Sequence, residues 1–269
     1  TIERGRLLAA AGDCAVCHTA PGGTPNTGGR AMETPFGKVY TTNLTPDAET
    51  GIGQWSFSAF QRAMREGISR DGKHLYPAFP YTSFAKMSDD DLTALYAYLM
   101  AQPAVRAEVP KTELAFPFSV RPLMAGWNAL FHDATPFKAD PARSAEWNRG
   151  AYLVEGAGHC GACHTPRALT MQEKALSAAD GNAFLSGSAP LEGWIAKSLR
   201  GDHKDGLGSW SEEQLVQFLK TGRSDRSAVF GGMSDVIVHS MQYMSDADLT
   251  AIARYLKSLP AVNPADKPH

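Results

Sequence analysis

This sequence has little sulfur that could cross-link it and no run of apolar residues long enough to matter to a membrane. Only four of its 269 residues are Cys. Four Cys are too few for a disulfide-dense secreted scaffold, and a chain of this length can build cores without one. No apolar stretch reaches the roughly 18 residues that a spanning helix needs. The formal net charge is only −2, with 20% charged residues. That balance argues against a nucleic-acid partner and against attraction to an anionic lipid surface. No Ser/His/Asp set, paired carboxylates or Gly-rich phosphate loop stands out, so the common hydrolytic and nucleotide-binding chemistries have no residues to carry them.

What is present is a repeat. GRLLAAAGDCAVCHTAP, from Gly5, matches GAYLVEGAGHCGACHTPR, from Gly150. GIGQWSFSAFQRAMREG, from Gly51, matches GLGSWSEEQLVQFLKTG, from Gly206, and MSDDDLTALYAYLMAQPAV, from Met87, matches MSDADLTAIARYLKSLPAV, from Met244. The copies are offset by 146 residues at the cysteines and 157 at the last match. Two tandem domains follow, 1–108 and 144–269. Between them, 109–143 has no counterpart. Its five prolines and its aromatics Phe116, Phe118, Trp127 and Phe131 read as a strap that packs rather than a free linker.

Each copy reads as helices joined by long Gly/Pro/Thr loops. Ser88 and Ser245 are predicted N-caps of helices that carry acidic first turns and stop before Pro103 and Pro260. Ser56 and Ser211 cap helices that stop at Gly67 and Gly222, and helices over 2–12 and 147–157 lead into the cysteines. Tyr98 and Tyr255 are expected to cross Gly5 and Gly150 at a helix contact. Loops this long need something to wrap.

The cysteines say what. Cys14-Ala15-Val16-Cys17-His18 and Cys160-Gly161-Ala162-Cys163-His164 have the spacing of c-type haem attachment. On one helical turn the two thiols reach the two vinyl groups of one porphyrin, and the next imidazole meets the iron. A zinc or dithiol reading of a single CxxC is weaker here, because the motif recurs inside matching helical repeats. The expected fold is all-α, two tandem class I cytochrome c domains, each with one covalently bound haem c. Cys14, Cys17, Cys160 and Cys163 would form the thioethers, and His18 and His164 would ligate the two irons.

Sixth ligands come from the loop before the last helix, and Met is the usual choice in electron carriers. In the second copy that loop holds Met233, Met241 and Met244. Met244 stands where a residue staples a helix start, so Met233 is the expected ligand. In the first copy Phe79 aligns close to Met233. His18 to Met87 and His164 to Met233 are both 69 residues, which favours Met87. The helix match instead pairs Met87 with Met244, so Met124 in the strap, His74 and an open iron stay as alternatives. Trp55, Trp210, Arg30 and Asn43 are candidates to reach haem propionates or, equally, to be structural. Met32 and Met64 read as packing residues.

Four stretches carry a family resemblance: TPFGKVYTTNLTPDAETGIGQWSFSAFQRAMREG, HLYPAFPYTSFAKMSDDDLTALYAYLM, FSVRPLMAGWNALF and SAEWNRGAYLVEGAGHCGACHTPR. Over nearly the whole chain the sequence resembles the cytochrome c subunits of bacterial periplasmic or membrane-associated dehydrogenases of the alcohol, aldehyde and gluconate type. The resemblance implies electron transfer by a dihaem cytochrome that is not itself an enzyme. The donor would be a partner dehydrogenase, and the acceptor a cytochrome, an oxidase or the quinone pool of the respiratory chain. A haem enzyme such as a dihaem peroxidase is the alternative. Relatives often hold three haems where this chain has two motifs, and many have Met where it has Phe79. Covalent attachment implies export, so the expected location is periplasmic, with a signal peptide absent from this chain.

Overall fold

The computed structural model describes residues 1–262 apart from Leu191 and Glu192. The chain divides into two compact units, Thr1–Pro136 and Phe137–His269. The last seven residues of the expected second domain, 263–269, lie outside the described residues.

The first unit opens with α1 (Ile2–Ala11), then the single turn α2 (Cys14–Cys17), α3 (Phe57–Glu66), the single turn α4 (Tyr81–Phe84), α5 (Asp89–Met100) and α6 (Leu123–Phe131). Local chemistry sets the ends. Ser56 Oγ accepts from Ala59 N–H and Ser88 Oγ from Asp91 N–H, each satisfying an orphan donor of the first turn. Gly67 ends α3 at φ +66°, where a side chain would be strained. The core forms where α1 crosses α5. A Cβ on Gly5 would lie 2.0 Å from the carbonyl oxygen of Ala94 and 2.6 Å from Tyr98 Cβ. The bare glycine therefore sets how closely these helices approach. Arg4 pairs with the buried Asp91 across the same crossing, Nη2 to Oδ1 2.5 Å.

The expected all-α class misses one element. Ala31–Thr34 (β1) and Gly37–Tyr40 (β2) pair as an antiparallel hairpin, and Glu113–Leu114 (β3) of the strap adds a third strand. Thr34 stabilises the turn, its hydroxyl donating to Gly37 C=O at 2.7 Å and accepting from Phe36 N–H at 3.1 Å. The strap continues over this unit. Phe118 stacks on Phe36 with centroids 3.6 Å apart, and α6 buries Asn128.

The second unit has α7 (Ala145–Tyr152), α8 (Gly161–His164), α9 (Glu212–Thr221), α10 (Gly232–His239) and α11 (Asp246–Ser258). Ser144, Ser211 and Ser245 cap α7, α9 and α11, and Ser211 with Gln214 forms a full capping box. Gly222 ends α9 at φ +72°. α7 crosses α11 as α1 crosses α5, with a Cβ on Gly150 placed 2.0 Å from Ala251 O and 2.8 Å from Tyr255 Cβ. The stretch from Gly150 to Cys160 is one residue longer than from Gly5 to Cys14. The helix absorbs the extra residue as a π-helical turn over Leu153–Ala157, which is how an insertion is accommodated without breaking a helix.

Candidate functional site

In each unit the cysteine pair sits on one helical turn with the following His at its end. No disulfide joins these cysteines. Burial pushes the Cys14 thiol up to about 12, helped by the charges of Asp13 and Cys17. Cys160 is likewise pushed up to about 12, by burial and then by Cys163. Among the described residues no cluster of His, Cys, Asp and Glu could hold a metal ion on its own.

The two motif histidines are each held in one tautomer. His18 Nδ1 donates to Thr42 C=O at 2.6 Å, and His164 Nδ1 donates to Lys197 C=O at 2.7 Å. A carbonyl can only accept, so the proton is on Nδ1 and the lone pair is on Nε2. Burial lowers both pKa values and keeps the rings neutral. Each His is fixed a second time through its own carbonyl, which accepts from Gly28 N–H (2.7 Å) or Gly187 N–H (2.8 Å). Such outer hydrogen bonds fix the tautomer and orient a metal-binding imidazole. The donor set and the tautomer both fit a thioether-bound haem.

An arginine holds each cysteine turn. Arg30 Nη1 donates to Val16 C=O at 2.8 Å, and Arg167 Nη2 donates to Ala162 C=O at 2.8 Å. Both carbonyls belong to the third residue of the motif. The two arginines come from unrelated places, Arg30 from the loop before β1 and Arg167 just after His164, so the sequence repeat does not reveal their equivalence. Asn43 is structural: its side chain is satisfied by Thr45, Thr50 and Val105. Trp55 contributes its carbonyl, which accepts from Tyr96 Oη at 2.7 Å. Trp210 packs edge-on to Phe218, with centroids 5.5 Å apart.

The candidate sixth ligands differ in setting. Met233 is the second residue of α10 and half-buried. Beside it Phe230 and Trp194 form an exposed ring pair, centroids 5.9 Å apart, and Ile195 is also exposed. Met87 is wholly buried immediately before the cap of α5. Met124 is the second residue of α6 and half-buried. His74 Nδ1 lies 3.1 Å from Asn128 Nδ2. Asn128, which the sequence did not single out, also donates to Glu66 C=O at 3.0 Å and meets Tyr81 Oη at 2.5 Å.

A cytochrome c family model matches residues 2–103. The chain is 53% identical over 263 residues to the gluconate 2-dehydrogenase cytochrome c subunit of Pantoea cypripedii, covering 97% of this chain and 60% of that one. It is 49% identical over 265 residues to the cytochrome c subunit of the quinone-dependent alcohol dehydrogenase of Gluconobacter oxydans, covering 97% of this chain and 55% of that one. It is 36% identical over 267 residues to a diheme cytochrome c-type protein of Cereibacter sphaeroides, covering 97% of this chain and 86% of that one. The chain thus spans less than two thirds of the length of these two dehydrogenase subunits and most of the diheme protein.

Proposed function

This chain belongs to the cytochrome c family, and from that premise we propose that it is a two-haem electron relay, reduced by a partner dehydrogenase and oxidised by the respiratory chain. The observation that carries the reading is the pair of equivalent His settings, His18 on Thr42 and His164 on Lys197, each next to its own cysteine pair. Cys14 and Cys17 would bind one haem, and Cys160 and Cys163 the other. When bound, each haem supplies one-electron ferric/ferrous chemistry. His18 and His164 would ligate the irons through Nε2, and Met233 would close the second one. The exposed rings of Trp194 and Phe230 and the side chain of Ile195 would then lie against porphyrin rather than water, which removes an otherwise costly apolar exposure.

The residues orient and tune. The Nδ1–H bonds raise the basicity of the imidazoles, and thioether or imidazole ligation sets the range of potentials. The donor is a dehydrogenase of the kind that the relatives' names describe, and the location is periplasmic, where haem is attached to exported chains. No described helix is long and apolar enough to cross a membrane.

The test is stoichiometric and kinetic. The purified holoprotein should hold two covalent haems per chain by pyridine haemochrome assay. A gluconate dehydrogenase catalytic subunit supplied with gluconate should reduce both. Fewer than two haems, or two haems that no such dehydrogenase reduces, would sink this reading.

A further inference from the structure

We propose that Met124, in the strap helix α6, is the sixth ligand of the iron held by His18, so that the strap completes the first haem site. This rests on the two-haem reading above and concerns only what closes the first of them.

The two units can be put in register after α3 and α9. Leu75 N–H donates to Gly67 C=O at 2.7 Å, and Val229 N–H donates to Gly222 C=O at 2.8 Å. Counting four residues on from each reaches Phe79 and Met233. In the second unit the chain there enters α10, which carries Met233 in its first turn. In the first unit it makes only the single turn α4, and Phe79 packs on Tyr81 and Phe84, with centroids 6.3 and 5.4 Å away. A phenyl ring has no lone pair for iron.

Met87 is the twin of Met244. Both precede a Ser cap, and both are buried, 0% and 6% exposed. Both carbonyls accept from a basic side chain of the preceding long helix, Met87 from Arg65 Nη2 at 3.0 Å and Met244 from Lys220 Nζ at 2.8 Å. Since Met233 serves the second site, Met244 is a core residue, and the same surroundings make Met87 one.

The place that α4 leaves open is taken by α6. α10 lies against the end of α9, where a Cβ on Gly222 would meet Val229 and Ile237 at 2.8 and 3.5 Å. α6 is tied to the matching end of α3, with Asn128 Nδ2 donating to Glu66 C=O (3.0 Å) and His132 Nε2 to Arg65 C=O (2.8 Å). Just before α6, Arg121 donates to His74 C=O at 3.0 Å and lies 4.5 Å over the Tyr76 ring. That is the segment equivalent to the one from which α10 starts. Met124 and Met233 are each the second residue of their helix, and both are half-buried.

His74 is already committed. Glu66 C=O can only accept, so Asn128 presents its NH2 there, and the same nitrogen donates to His74 Nδ1. The His74 proton is therefore on Nε2, which leaves no free lone pair on the ring.

The experiment is carbon monoxide uptake by the fully reduced holoprotein, read by visible absorption, for wild type, Met124→Leu, Met87→Leu and Met233→Leu. Wild type should bind none. Met124→Leu should bind it at one of the two haems, and Met87→Leu at neither. Combining Met124→Leu with Met233→Leu should open both. Met124→His, which keeps a ligand, should stay closed to carbon monoxide and shift one midpoint potential downward. This variant decides the matter if Met124→Leu does not fold. Uptake by wild type at one haem, uptake by Met87→Leu without uptake by Met124→Leu, or an unshifted potential in Met124→His would overturn the proposal. Failure of the two-haem reading shows separately, as a haem content below two per chain, and failure of Met233 as a ligand shows as no uptake in Met233→Leu.

Discussion

Tyr255 Oη lies 2.5 Å from Glu155 Oε1, both groups buried, and the carboxylate gets there because the chain before Cys160 carries one extra residue. The π-helical turn that takes up the insertion places Glu155 against α11. In the first unit the corresponding tyrosine, Tyr98, is only half-buried, and Gly5 to Cys14 has no insertion. The two units therefore differ in their interior charge although their motifs match.

Tyr255 gives a pH dependence. Burial, and then the Glu155 charge, hold its phenol well above the usual tyrosine value of about 10. Tyr81 is raised too, by burial. The folded state keeps protons that the unfolded chain gives up, so this stability is complete below about pH 10 and is lost as pH climbs toward the folded values. Urea midpoints by far-UV circular dichroism should fall between about pH 10 and 11. Tyr255→Phe should flatten that fall while costing about 1–3 kcal/mol at neutral pH by leaving Glu155 short of a donor.

Gly5→Ala and Gly150→Ala each drive a methyl to within 2.0 Å of a backbone oxygen on the crossing helix. Neither carbonyl can move without its helix. Each variant should lose about 3 kcal/mol, read from thermal unfolding of the holoprotein. Gly126→Ala, in open space within α6, should instead be neutral or stabilise by up to about 1 kcal/mol, because Ala favours a helix over Gly.

Arg30→Leu and Arg167→Leu remove a cation that donates to the attachment turn. A nearby positive charge disfavours the ferric state, so one midpoint potential should fall in each variant. Stability should drop by about 1.5–3 kcal/mol, the range for a hydrogen bond from a charged donor. Spectroelectrochemical titration would resolve which haem responds, and Arg30→Lys or Arg167→Lys, which keeps the charge, should retain part of the potential.

Asn128→Ala removes the partner of Tyr81, Glu66 and His74 at once. The expected loss is about 3 kcal/mol from groups left without partners. If the strap closes the first haem, the variant should also gain carbon monoxide uptake at one haem only, and a titration of the reduced protein would show it.

Much of the molecule is legible in the chain itself. The cysteine–histidine motifs, the serine caps and the glycine stops all depend on residues close in sequence. These features are local, so side-chain chemistry and helical geometry determine them directly. The hairpin of β1 and β2 is harder to read because it is short and its third strand, β3, comes from the strap.

The partners of the histidines were decided by tertiary structure alone. Thr42 is 24 residues from His18, whereas Lys197 is 33 from His164. Both contribute backbone carbonyls, which every residue has, so no side chain announces the role. The same holds for Arg30 and Arg167, which meet equivalent carbonyls from unrelated positions. Met87 and Met124 show the limit most clearly. Chain spacing pairs Met87 with Met233 and the helix match pairs it with Met244, and burial with the carbonyl bond from Arg65 agrees with the second. Chain distance says where a residue can reach. Only the packed neighbours determine where it is.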